Sequence, residues 1–110
     1  MIDLKNLTIM DEVKLQLDDR NHGAFTISDD EGQLGEMVIS VAGPNLTVYH
    51  TEVSEKAEGK GYAKKMLESM VDYARTKSLK VIPLCPYVHA QFKRHPDEYA
   101  DVWNKEREGA

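Results

Sequence analysis

The sequence predicts an α+β fold, an antiparallel meander followed by one strand–helix–strand unit, and three observations predict it. Three strand-like runs between residues 23 and 53 are separated by two short stretches of turn residues. At Gly61 the apolar period changes: Ala63, Met66, Leu67, Met70, Val71 and Ala74 fall at i, i+3, i+4, i+7, i+8 and i+11, one face of an amphipathic helix. A short apolar run of strand type, LKVIPL, then follows the helix. Two strands with a helix between them are most simply joined by a right-handed crossover, which makes the strands parallel.

Taken in order, EVKLQLDD alternates weakly at Val13, Leu15 and Leu17 and reads as either a first strand or an irregular lead-in. The meander strands are expected at 23–28, 34–41 and 46–53. Their separators are Asp29-Asp30-Glu31-Gly32 and Ala42-Gly43-Pro44-Asn45, both of turn chemistry. The helix is expected over 61–76 and the second strand of the crossover over 79–84. YVHAQFKRH (87–95) reads as a second helix stopped by Pro96, which has no N–H to continue the ladder. DEYADVWNKE reads as a last turn or short helix, with Tyr99 and Trp103 as apolar lids over the sheet.

Composition bounds the function. A chain of 110 residues reads as one domain, 1–110, able to bury about 60–70% of its unfolded surface. The net charge of −5 offers no basic excess to displace counterions, so no nucleic-acid partner is expected. MIDLKNLTIM lacks the charged and apolar regions of a signal peptide, and no apolar run approaches the roughly 20 residues of a membrane span. No membrane partner and a cytoplasmic location are therefore expected. The single cysteine, Cys85, excludes an internal disulfide and an all-cysteine metal site. His89 and His95 have no ligand spacing, and no metal is expected.

The informative stretch is EKAEGKGYAKKMLESMVDYA (55–74). Gly59 and Gly61 open directly into the helix, and Lys60, Lys64 and Lys65 crowd its start, where the helix already carries about half a positive charge. An anion docked there would turn that cost into a gain, met by backbone amides and ammonium groups together. Glycines remove Cβ atoms where a phosphate would approach the backbone. The alternative is a plain strand-to-helix turn with solvated lysines. Neither the eight-residue nucleotide loop nor GxGxxG is present.

Residues 50–88, HTEVSEKAEGKGYAKKMLESMVDYARTKSLKVIPLCPYV, resemble the acetyl-CoA-binding core of the GNAT superfamily of N-acetyltransferases. The superfamily loop Arg/Gln-x-x-Gly-x-Gly/Ala is read here as Glu58-Gly59-Lys60-Gly61-Tyr62-Ala63, with Glu58 where Arg or Gln is the rule. HTEV, GKGYAKKML and IPLCPY together resemble the minimal, single-domain GNAT-like proteins. The resemblance implies a GNAT-like fold whose strand–helix–strand unit binds acetyl-CoA, with backbone amides from Gly59 to Lys64 on the pyrophosphate. Val53 would pair its backbone with the pantetheine arm. Lys56, Lys60 and Lys64 would offset the carboxylate of Glu58.

The same resemblance implies an N-acetyltransferase acting on a primary amine, a protein lysine or a small polyamine. Cys85, in its Cys-Pro context, would attack the thioester and carry the acetyl group. A buried, inert thiol is the plain alternative. His50, on the strand expected to face Cys85 across the thioester gap, is the candidate base toward the thiol or the amine, and Glu52 lies on its side by period two. Tyr87 stands where a tyrosine protonates the departing thiolate in many full-length relatives, but in the minimal branch a phenylalanine can stand there, so that role is not expected of it. Those relatives have further elements around the acceptor pocket, so an open acceptor side, or one completed in a homodimer, is expected. A non-catalytic CoA-binding module and an interaction protein reusing the fold are the other classes.

Overall fold

The computed structural model describes residues 13–107. Five strands form one sheet in the order β1-β2-β3-β4-β5: Val13–Leu17, His22–Asp29, Gly32–Ala42, Asn45–Val53 and Lys80–Pro83. The first four pair antiparallel as a meander, and β5 lies parallel to β4. EVKLQLDD therefore supplies a true first strand, in register from Val13↔Ile27 to Leu17↔Gly23. Helix α1 (Tyr62–Lys77) makes the crossover; α2 (Pro86–Arg94) and the one-turn α3 (Pro96–Tyr99) follow β5.

Alternation along the strands sends Phe25, Ile27, Met37, Ile39, Leu46 and Val48 to one face of the sheet. There they join Met66, Leu67, Met70, Val71 and Ala74 of α1 in a single apolar cluster that takes in Val88, Phe92, Tyr99 and Val102. Burying each large aliphatic side chain contributes about 1.5–3 kcal/mol. Gly35 lies beneath this packing: a Cβ there would lie 3.0 Å from Met66 Cε and 3.2 Å from Ile27 Cγ2.

The opposite face of the meander carries Thr26, Glu36, Val38, Tyr49, His50 and Glu52, half-buried to exposed. A groove crosses it, lined by Gln16, Asp18, Ala24, Thr26, Glu36 and Val38. Among the described residues, the short turns between strands supply nothing to cover it.

One irregularity in β4 decides which residues go to which face. Val38 pairs with His50 but Ile39 pairs with Val48, so Tyr49 is an extra residue, a β-bulge. Leu46 and Val48 point inward before it; Thr51 and Val53 are the half-buried residues after it, while His50 and Glu52 are exposed. The Tyr49 ring, 43% exposed, is tied to the bare face by a 2.7 Å hydrogen bond between its hydroxyl and that of Ser40.

The C-terminal segment covers the free edge of β5. Val81 N donates to Val102 O and Asn104 N to Val81 O, a parallel bridge between Val81 and Trp103. Phe92 stacks on Tyr99 at 4.7 Å and meets Trp103 edge-on at 5.6 Å. Thus Tyr99 and Trp103 close the end of the core, and the short helix foreseen there is followed by an edge strand interaction. Arg75 of α1 clasps the segment, its Nε 2.8 Å from Asp101 Oδ2 and a terminal nitrogen donating to Glu98 O at 2.8 Å. Among the described residues no helix is long and apolar enough to cross a membrane.

Gly35→Val crowds the Met66 tip and the Ile27 methyl, and a loss of about 1–3 kcal/mol is expected in urea unfolding; an unchanged midpoint would mean these side chains give way without cost. Asp101→Asn removes an exposed ion pair and is expected to lose no more than about 1 kcal/mol at neutral pH. The Arg75 guanidinium holds the Asp101 carboxyl below its ordinary value of 3.8. The pair's contribution is therefore present above that value and is lost as pH falls through the lower folded one. The stability gap between wild type and Asp101→Asn should close in acid; a constant gap would show that the charge is immaterial.

Candidate active site

The site is built where β4 and β5 part. Their pairing runs from Asn45↔Lys80 to Val48↔Pro83 and ends there, while β4 continues through Tyr49–Val53. Three local features end it. The bulge turns β4, Pro83 has no N–H to offer the ladder, and Leu84 N bonds back to Ile82 O at 3.1 Å. Cys85 N makes the last link, donating to Val48 O at 2.9 Å. Beyond it the two strands diverge, leaving one edge of Tyr49–Val53 without a β5 partner.

At the far end of that edge the chain turns into α1. Ser54 N donates to Leu34 O, a 3₁₀ turn spans Glu55–Ala57, and Gly59 and Gly61 both take left-handed backbone, φ +85° and +79°. A Cβ at either glycine would meet nothing within 4 Å. The glycines are thus demanded by backbone conformation, and the space over them is open. Gly61 is the N-cap of α1, has no side chain to cap the helix, and no acidic residue stands in the first turn. The leading amides of a helix have no acceptors within it. An uncapped 16-residue helix entered by an open glycine turn fits an anionic group such as a pyrophosphate.

The lysines divide. Lys65 lies over the Tyr62 ring, 5.7 Å from its centroid, and Lys56 pairs with Glu31 across 3.1 Å. Lys60 and Lys64 stand exposed beside the helix start, as does Glu58 in the turn. Lys56, expected to offset Glu58, is thus engaged by a different carboxylate.

Cys85 is 1% exposed and is the N-cap of α2, whose first residue is Pro86. Its sulfur lies 3.3 Å from Thr51 Oγ1. The place facing the thiol, expected for His50, belongs to Thr51: period-two counting from Val48 would send His50 inward, and the extra residue at Tyr49 inverts the alternation. His50 and Glu52 do share a side, as expected, but it is the bare face. There Glu36 of β3, directly opposite Glu52 in register, joins them, the ligand atoms of all three within 4.8 Å of one another. No spacing along the chain links Glu36 to His50. Only the pairing of β3 with β4 brings in this carboxylate, which sequence reasoning missed. Exposed carboxylates often lie so without an ion.

Two like charges directly opposite on neighbouring strands are unfavourable. Such a pair suits a cationic neighbour, and the imidazole beside it can accept a proton. Tyr87, half-buried on α2, has its hydroxyl pushed above the ordinary value of 10.0, first by burial and then by negative charge on Cys85 and Glu68. It therefore keeps its proton at neutral pH. The uncapped glycine turn, the open β4 edge and the thiol at its head follow one line from α1 to Cys85.

Comparison with known proteins bears on the family and the fold. No curated protein matches the chain. Among solved structures, the solution structure of a GCN5-like protein from Staphylococcus aureus aligns with a TM-score of 0.61 and 28% identity, over 86% of this chain and 88% of that one. The ribosomal-protein-S18-alanine N-acetyltransferase of Escherichia coli aligns with a TM-score of 0.55 at 12% identity, over 60% of this chain and 43% of that one, a likeness of fold. A family model described as GCN5-related N-acetyl-transferase matches residues 24–102, from the meander through the glycine turn and Cys85 to the edge segment, and on that match the chain belongs to the GCN5-related N-acetyltransferase family.

Proposed function

We propose that this chain transfers the acetyl group of acetyl-CoA to a primary amine, with Cys85 as carrier and His50 as base toward the amine. The observation that carries the reading is the end of β4–β5 pairing at Val48↔Pro83, which leaves an open strand edge running from the glycine turn to Cys85. The pyrophosphate is assigned to the amides from Gly59 to Lys64, with Tyr62 and Ala63 in the first turn and Lys60 and Lys64 adding charge. Glu58 in the same turn opposes it and limits the affinity. The pantetheine arm is assigned to the backbone of β4 at Val53.

In the first half-reaction the Cys85 sulfur bonds to the acetyl carbon, the bond from that carbon to the CoA sulfur breaks, and the thiol proton ends on CoA. Tyr87, protonated at neutral pH, is the group suited to relay that proton, handing its own to the departing sulfur and taking up the one the Cys85 thiol gives up. In the second half the amine nitrogen bonds to the acetyl carbon, the Cys85 sulfur leaves, and the amine proton passes to His50. Glu36 and Glu52 beside His50 favour an acceptor that arrives as a cation, so protein lysines and small polyamines are the classes assigned to it. Among the described residues, the groove on the face where these three stand leaves room for either.

Two variants test this reading. Asn tolerates left-handed backbone, so Gly61→Asn is expected to fold while its side chain intrudes where the phosphates approach. Its dissociation constant for CoA should rise at least about tenfold, the worth of one lost charge-assisted hydrogen bond. Unchanged affinity would move the pyrophosphate away from α1.

Incubated with acetyl-CoA alone, the wild type should gain one acetyl group on Cys85, seen by intact mass and removed by hydroxylamine. Cys85→Ala should bind CoA as well as wild type and transfer almost nothing. If Cys85→Ala transfers at the wild-type rate, the amine attacks acetyl-CoA directly with His50 as base. If the label never leaves CoA in either protein, the chain is a CoA-binding module.

A further inference from the structure

We propose that Thr51 is a positioning residue for the Cys85 sulfur, a role that rests on the covalent reading above. Thr51 Oγ1 and Cys85 Sγ are 3.3 Å apart, joining β4 to the N-cap of α2 across the mouth of the strand gap. The Cys85 side chain makes no capping bond to its own helix, so its helix does not fix its rotamer. A side chain with one χ angle has three wells, and a single hydrogen bond suffices to choose among them. Thr51 is suited to do so because it is β-branched, half-buried and stiff at χ1.

Packing does not call for a hydroxyl here. The neighbouring inward positions of β4 are Leu46, Val48 and Val53, and Val has the shape of Thr without the oxygen. A half-buried hydroxyl in an apolar setting is costly unless it is bonded, and its bond is to the sulfur. His50 is turned to the bare face, and Tyr87 is protonated on α2. Of these neighbours, Thr51 is the one in hydrogen-bond contact with the thiol.

The chemistry gives that contact a direction. A hydroxyl donates more strongly to an anionic sulfur than to a neutral one. As the thiol gives up its proton and the sulfur bonds to the acetyl carbon, the CoA sulfur leaves, and the thioester sulfur of Cys85 is a weaker acceptor for Thr51 than the nascent anion was. When the amine nitrogen takes the acetyl carbon and the Cys85 sulfur leaves with its electron pair, the bond strengthens again. Thr51 thus orients the thiol at the start of the cycle and favours the anionic sulfur released at its close. It touches neither the amine nor CoA in this role.

The test compares Thr51→Val, which keeps shape and loses the hydroxyl, with Thr51→Ser, which keeps the hydroxyl. In Thr51→Val, acetylation of Cys85 by acetyl-CoA, followed by rapid-quench intact mass, should slow roughly ten- to hundredfold, with CoA affinity and melting temperature close to wild type. Thr51→Ser should recover most of the rate. Equal rates in wild type and Thr51→Val would overturn the proposal, as would a Thr51→Ser protein as slow as Thr51→Val, since the methyl group would then be what matters.

A second readout needs no acetyl-CoA. With one cysteine in the chain, the S–H stretch in the infrared is a single band. It should change frequency in Thr51→Val and return in Thr51→Ser. A wild type that never gains an acetyl group would sink the covalent reading. The S–H band would still decide whether Thr51 holds the sulfur, an unmoved band overturning that claim by itself.

Discussion

The half of the molecule that holds the candidate site depends on one extra residue in β4. Up to Val48 the strand alternates in phase with its neighbours and feeds the core. Tyr49 is then added without a partner, and every later side chain changes face. Without the bulge, His50 and Glu52 would be driven into the apolar cluster, and Thr51 would face solvent. With it, the polar pair goes to the open face and a hydroxyl meets the thiol. The extra residue also increases the local twist, and the parallel pairing with β5 stops at Val48. The face change and the end of β5 pairing thus fall at the same point of β4, where Pro83 also withholds a donor.

The gap persists because its surroundings are tied down. Cys85 N reaches Val48 O, so the two strands part at a fixed point, and Pro83 removes a donor that would otherwise extend the ladder. On the far side of β5, Val102–Asn104 takes up the free edge, and Arg75 holds that segment to α1 through Asp101 and Glu98. A four-residue strand flanked on both edges keeps its place where an exposed one would fray. The aromatic stack of Phe92, Tyr99 and Trp103 seals the same corner.

Charge is arranged to match. The start of α1 has no acidic residue and no side-chain cap, so its amides and dipole favour an anion. On the opposite face of the sheet, Glu36 and Glu52 stand across from each other beside His50, a setting for a cation. One small fold thereby sets an uncapped helix start and a facing pair of carboxylates at different places along a single strand.

Much of this was legible in the sequence. The helix face from Ala63 to Ala74, the turns at Asp29–Gly32 and Ala42–Asn45, and the strand before Cys85 follow from local periods and turn chemistry. The glycine turn follows from residue type, because left-handed backbone at Gly59 and Gly61 favours glycine wherever it occurs. The family, too, was carried by short contiguous motifs between residues 50 and 88. What only the tertiary structure decided is which side chains meet. Period-two counting carries His50 toward the thiol, and only the pairing of β3 with β4 reveals the unpaired residue that gives the place to Thr51. Glu36 reaches His50 through strand register, Lys56 is taken by Glu31, and Val102–Asn104 finds the edge of β5. Each of these is a contact between residues distant in the chain. Local periodicity fixes the face a side chain takes within an unbroken strand, but a bulge and its consequences exist only in the pairing of two strands.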